Sequence, residues 1–258
     1  MRKQMVALLA GAMLLMATSA MATVVNSSGG GNGSEQNMQQ ILNSITSGGT
    51  SNVNAFTDFI KDPSDALWTT GGVGISSATM IVEIAGWAGT NNFGIYDSSN
   101  ISNKAELFNG AASTGSKVSL TFGSYAGGNN LAVVNMNTFA YSLYNFGSET
   151  FGFYFNNTKD TFLSDTSKNA DQYDHMVAYQ GTGQNVKIPP AATFTPWLAN
   201  EYVLGFEDTF GGGDHDYNDM VLMVESVAPV PEPGTMMLLG LGMLGMAVYG
   251  KRRMNKEA

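Results

Sequence analysis

Nine short apolar runs, each bounded by Gly, Asn or Ser, constrain the fold of this chain more than any other feature. They lie at 79–87, 92–96, 118–125, 131–136, 139–146, 151–155, 175–179, 202–206 and 220–224. Several alternate in the way a strand requires: Phe151, Phe153 and Phe155, separated by Gly152 and Tyr154, fall on one sheet face. Such a row reads as core packing, with a sugar-stacking platform as the alternative. Many short strands with turn residues between them predict an all-β domain, an antiparallel β-sandwich of jelly-roll-like type, over residues 65–228. The chain has no cysteine, so no disulfide framework supports it, and packing or bound metal must.

The two ends read as targeting segments. Residues 1–22 combine a basic start (Arg2, Lys3), an apolar run from Met5 to Met16 and a small-x-small end at Ala20-Met21-Ala22. The run is too short to cross a bilayer comfortably, so a signal peptide cut after Ala22 is expected, with signal peptidase as the processing partner. Residues 23–64 read as a flexible lead rich in Gly, Ser and Asn. Within it a short helix is expected over 37–45, with Met38, Ile41, Leu42 and Ile45 on one face.

The last segment, 229–258, holds Pro231-Glu232-Pro233, an uncharged apolar stretch at 234–250 and the basic cluster Lys251-Arg252-Arg253. The prolines break structure, and the apolar stretch predicts a single transmembrane helix. The basic cluster then stays inside, so the inner membrane is a transient partner. This order resembles the PEP-CTERM family of sorting signals. The resemblance implies recognition by an exosortase with cutting near Pro231, Glu232 and Pro233. It also implies a Gram-negative source that makes exopolysaccharide, and a destination in the cell envelope, at the surface or in the extracellular matrix. An ordinary uncut C-terminal anchor is the other reading of the same residues.

Charge narrows the function further. Of 12 Lys and Arg and 21 Asp and Glu, 6 basic and 19 acidic residues lie between Thr23 and Pro231, leaving the body at −13. Such a body repels nucleic acid and anionic membrane surfaces and favours cations. Solubility of an exported protein accounts for most of this acidity.

The richest stretch runs from Gly205 to Asp219. Six side chains with oxygen donors, Glu207, Asp208, Asp214, Asp216, Asn218 and Asp219, sit within thirteen positions around Gly211-Gly212-Gly213. Glycine allows a tight loop, and clustered carboxylates need a cation between them. Hard oxygen donors without cysteine select Ca²⁺ over zinc or copper. Asp214, Asp216, Asn218 and Glu225 also fit positions one, three, five and twelve of an EF-hand loop. However, Asp219 replaces the required glycine and a strand-like run follows, so that fold is rejected. A solvated acidic turn capped by Asx hydrogen bonds is the metal-free reading. Asp171, Asp174 and His175 form a second, weaker cluster.

At these residues a second resemblance enters. Gly205-Phe206-Glu207-Asp208, a Gly-rich loop, Asp214-x-Asp216-x-Asn218-Asp219 and an apolar strand resemble the ending of the domain of unknown function 4114 family, which occurs in bacterial surface proteins and adhesins. Residues 93–97, 106–110 and 174–176 look like its earlier portions. The resemblance implies a β-sandwich with calcium near the acidic loop and no established catalytic activity.

The expected function is a non-enzymatic surface or matrix protein that binds exopolysaccharide or other surface proteins. The alternative is a secreted polysaccharide hydrolase, metal-dependent or carboxylate-based. Acids gathered in one loop suit an ion better than an acid/base pair across a cleft. Two histidines, no cysteine and no Gly-x-Ser-x-Gly turn give zinc, thiol and serine chemistry little to work with.

Overall fold

The computed structural model of the protein describes residues 23–27, 35–70, 75–83 and 89–231, with 79–83 described by backbone alone. The signal segment with Ala20 and Ala22, and the tail from Glu232 and Pro233 through the expected 234–250 span, lie outside the described residues. Among those described, no helix is long and apolar enough to cross a membrane.

Fifteen strands and one α-helix are described, and all strand pairs are antiparallel. The first sheet contains β1 (Trp68–Thr70), β3 (Asn92–Asp97), β4 (Asn100–Phe108), β8 (Phe151–Asn156) and β15 (Val227–Pro229), in the order β15-β1-β8-β3-β4. Strand β9 (Thr161–Leu163) also pairs with β8. The second sheet contains β2 (Ile75–Glu83), β5 (Lys117–Phe122), β6 (Leu131–Asn135), β7 (Tyr141–Tyr144), β10 (Met176–Gln180), β13 (Glu201–Phe206) and β14 (Met220–Glu225), in the order β10-β13-β14-β2-β5-β6-β7. A small ribbon pairs β11 (Asn185–Val186) with β12 (Thr195–Pro196).

The two large sheets form a sandwich around an aromatic core. Phe151, Phe153 and Phe155 are buried there with Trp68, Phe93 and Phe206, each fully buried ring contributing about 2–3 kcal/mol of transfer free energy. Phe153 stacks on Phe93 at 5.6 Å between centroids, and Trp68 meets Tyr202 edge-on at 4.9 Å. Gly152 lies where a Cβ would stand 2.1 Å from the Tyr96 ring, so the alternation of glycine with phenylalanine serves packing on both faces.

The second sheet has a further buried face. In β10, β13 and β14 the residues Met176, Ala178, Tyr202, Leu204, Phe206, Met220, Leu222 and Val224 turn into the sandwich. Val177, Tyr179, Val203, Val221 and Met223 turn outward. These outward residues are covered by α1 (Met38–Ile45), whose buried face is Met38, Ile41, Leu42 and Ile45, and by Val53, Ala55 and Phe59. Asn37 caps the helix with a capping box: its side chain accepts from the Gln40 N–H and the Gln40 side chain accepts from the Asn37 N–H, both at 3.0 Å. The expected helix is present. The segment around it, placed in a flexible lead by composition, packs between residues 36 and 60 onto the sandwich, because an apolar sheet face must be covered.

Some strand boundaries differ from the sequence expectation for local reasons. The run at 139–146 begins as a strand only at Tyr141, because Asn135 accepts the N–H groups of Asn137 and Thr138 and holds a turn in which Phe139 has φ 58°. Strand β2 starts at Ile75, earlier than the expected 79. Strand β4 was not anticipated: it is an edge strand, and its first half, Asn100 to Lys104, buries no side chain.

Candidate metal centre

The acidic loop is the connection between β13 and β14. The last rung of that hairpin, Phe206 opposite Met220, fixes both ends of the loop, so Glu207 and Asp219 leave the sheet side by side. The Asp208 N–H donates to Asp219 Oδ2 at 2.7 Å across this neck. Beyond it Gly211, Gly212 and Gly213 all have positive φ, as do His215 and Tyr217 (62° and 55°). This backbone turns the loop back over β13. Gly205 permits the return, since a Cβ there would stand 2.5 Å from the Tyr217 carbonyl oxygen.

The fold brings Glu207, Asp214 and Asp216 together: one carboxylate oxygen from each lies within 4.8 Å of the others. Among the described residues this is the group of acids and histidines compact enough to hold an ion. Glu207 is 1% exposed and accepts the Tyr217 N–H at 2.8 Å through Oε1. Its other oxygen faces Gly213, where a Cβ would come within 2.4 Å of Oε2, so glycine makes the room. Burial first, then the charges of Asp219, Asp216 and Asp214, push the Glu207 carboxyl up to about 9. Burial and Asp208, followed by Asp216 and Asp214, push Asp219 up to about 8. Acids so placed are held protonated at neutral pH unless a cation offsets their mutual repulsion.

The other three expected ligands stand beside this trio. Asn218 spends its amide N–H groups on Asp216 Oδ2 (2.7 Å) and the Gln36 carbonyl (2.8 Å), which orients Asp216 and ties the loop to the segment before α1. Asp208 Oδ1 accepts the Thr209 hydroxyl at 3.1 Å, and its carbonyl accepts Asn157 Nδ2 at 2.6 Å. Asp219 serves the neck. All donors are hard oxygens, a set that fits Ca²⁺ and offers zinc neither imidazole nor thiolate. Glu225, at the twelfth EF-hand position, sits at the far end of β14 and bonds Ser77 and Lys117.

The weaker cluster divides. His175 and Asp171 belong to the acidic loop's support. The buried His175 ring lies on Phe162, 3.9 Å between centroids, with Nδ1 3.2 Å from the Glu207 carbonyl and Nε2 2.9 Å from Asp171 Oδ2. Both partners are acceptors, so both bonds form together only on the protonated ring. Burial opposes that charge and lowers the His175 pKa, against the pull of Asp171. Asp171 also accepts the Gly211 N–H at 2.8 Å. Burial would raise its pKa, but the Gly211, His175 and Tyr173 hydrogen bonds outweigh it and hold it low. The Asp174 side chain turns elsewhere: it accepts the Thr23 hydroxyl, and its charge acts on Asp65. Asp65 gives no sequence signal, because the residue it faces lies 109 positions away.

Residues 126–227 match the family described as Domain of unknown function (DUF4114), and residues 229–253 match the PEP-CTERM protein-sorting motif. No curated protein and no solved structure matches the chain. The first match holds the whole acidic loop and the strands from β6 to β14. Strands β1 to β5 precede it, yet β2 lies between β14 and β5 in the second sheet, so the folded unit is larger than the matched region. The second match starts on the last residue of β15.

Proposed function

We propose that this chain, which carries a DUF4114 region directly ahead of a PEP-CTERM sorting motif, is a non-enzymatic calcium-binding surface protein. The sorting motif marks a protein exported to the cell envelope or surface and processed by an exosortase. The finer reading is that its sandwich binds Ca²⁺ through Glu207, Asp214 and Asp216, with Asp208, Asn218 and Asp219 in support. In that state it associates with exopolysaccharide or neighbouring surface proteins.

The observation that carries the calcium reading is the convergence of three carboxylates, two of them buried, on a single point. A bound dication replaces the protons that Glu207 and Asp219 otherwise hold and removes the repulsion. The same geometry favours binding over hydrolysis: these oxygens surround a point instead of flanking a scissile bond from two sides. The adhesive role is supported by destination. The last strand, β15, ends at Pro229, and Val230 still donates to the Leu67 carbonyl at 2.8 Å. Processing near Pro231 therefore leaves the sandwich whole.

The test is thermal unfolding of the processed protein with calcium, magnesium or chelator. Calcium at about 100 times its dissociation constant adds about 2.7 kcal/mol, or roughly 5–10 °C for a domain of this size. Equal midpoints in calcium and chelator would overturn the reading. Cleavage of matrix polysaccharide that is lost in Asp214→Ala would replace it with the hydrolase.

A further inference from the structure

Asp65 is the buried acid that the acidic loop does not explain. It is 1% exposed, and neither oxygen of its carboxylate has a hydrogen-bond partner among the described residues. Its carbonyl accepts the Trp68 indole N–H at 2.7 Å, which fixes the residue at the foot of β1. The charges that act on it are those of the Asp174 and Asp62 carboxylates. Burial first, then these two, hold its pKa well above the carboxylate range. Asp174 is 7% exposed and accepts the Met176 N–H at 3.2 Å and the Thr23 hydroxyl at 2.6 Å. No ion pair among the described residues reaches Asp65 or Asp174. Two buried acids with one orphaned carboxylate mark a place for a cation.

Thr23 is the residue that follows Ala20-Met21-Ala22. Its position is set from the C-terminal side: Val25 is buried in the outer core, the Asn26 N–H donates to the His215 carbonyl at 2.7 Å, and Asn26 Nδ2 donates to the Asp214 carbonyl at 3.0 Å. In the uncut chain the Thr23 nitrogen is an amide. Hydrolysis of the Ala22–Thr23 bond adds water's OH to the Ala22 carbonyl and its H to the Thr23 nitrogen. With an ordinary pKa of about 7.7–8.0, that nitrogen takes a further proton near neutral pH. Covalent geometry keeps this ammonium within about 4 Å of the hydroxyl that already bonds Asp174.

We propose that signal-peptide removal supplies the missing cation: the Thr23 α-ammonium seats between Asp65 and Asp174, beside Asp62, as an ion pair that exists only in the processed protein. Its three N–H donors match the two orphaned Asp65 oxygens and the Asp174 carboxylate. The pair pins residues 23–26 down, and with them the main-chain carbonyls of Asp214 and His215 in the acidic loop. Folding is thereby completed on the far side of the membrane. This inference rests on the reading of cleavage after Ala22.

The experiment takes the exported protein, sequences its N-terminus, and measures α-amine acylation against pH. The same chain with a short N-terminal extension, and Asp65→Asn in both backgrounds, are compared by thermal unfolding. Expected are a Thr23 start, acylation at least tenfold slower than in the unfolded chain, and an amine pKa above the ordinary range. The extension lowers the midpoint by about 5 °C or more, and Asp65→Asn lowers it in the processed chain only. An amine that acylates as freely as a peptide's, or an Asp65→Asn effect equal in both backgrounds, overturns the pairing. If Asp65→Asn does not accumulate, the acylation profile of the unaltered protein decides. Calcium stabilisation of the extended chain that survives Asp216→Asn but not Asp65→Asn makes the pocket a metal site and also overturns it. A start other than Thr23 overturns the cleavage reading itself, whereas a freely reactive amine at a Thr23 start overturns the pairing alone.

Discussion

Two buried acidic groups among the described residues, the acidic loop and the Asp65–Asp174 pair, were assembled in opposite ways. Glu207, Asp214 and Asp216 come from one hairpin loop, and ten residues with three glycines suffice to fold their oxygens to within 4.8 Å. Asp65 and Asp174 come from the foot of β1 and the entry to β10, and their charges act on each other only when the sandwich closes. The loop can draw its cation from solution, since Asp214 is exposed. Asp65 is buried, and the cation proposed for it is part of the chain. A short loop of acids therefore reads as an ion site, while dispersed buried acids read as a folding contact.

The largest expected effect separates the two directly. Replacing Asp65 with Asn in the processed protein removes one partner of a buried pair and costs about 3–5 kcal/mol, with the calcium increment retained. The unfolding free energy in calcium and in chelator measures both quantities. Asp216→Asn is expected to do the reverse. It leaves stability in chelator unchanged or slightly raised by relieving repulsion, and it removes the increment of about 2.7 kcal/mol that saturating calcium provides. Loss of stability in chelator as well would mean that the loop is structural without its ion.

A pH series sharpens the contrast. Glu207 and Asp219 have folded pKa values raised to about 9 and 8, so without calcium the folded state holds protons that the unfolded chain has released. Stability in chelator therefore falls as pH rises from about 5 to 9, by up to about 1.4 kcal/mol per pH unit for each proton held. Calcium displaces those protons, so its affinity rises over the same range and flattens the decline. A flat profile in chelator would remove the electrostatic premise. The smallest effect belongs to the support of the loop. His175→Gln loses one of the contacts to Asp171 and the Glu207 carbonyl, and calcium affinity should fall about tenfold, as is usual for residues that orient ligands. Titration calorimetry reads that change.

The candidate site was more legible in the sequence than its surroundings. Glu207 through Asp219 declared itself because ligand spacing within one loop is a local property, and Gly211 to Gly213 marked where the backbone had to turn. Runs such as 151–155 were equally plain, since alternation maps directly onto one sheet face. Edge strand β4 was not, because Asn100 to Lys104 bury nothing and leave no apolar pattern. Composition also placed the segment around α1 outside the sandwich. The uninterrupted apolar run Met220 to Val224 held the contrary clue: Leu222 needs the aromatic core, and Val221 and Met223 need a second cover.

By itself, the sequence determined the all-β class, the acidic loop with its hard-donor chemistry, and the PEP-CTERM tail. Each of these depends on residues close together along the chain. Tertiary structure decided that α1 seals the outer face of the second sheet and that Asp171 and His175 brace the loop while Asp174 turns away from it. It also placed Thr23 and Asp65, 42 positions apart, at the same buried carboxylate. Those contacts arise from sheet order and layer packing, which bring together residues whose separation along the chain carries no pattern.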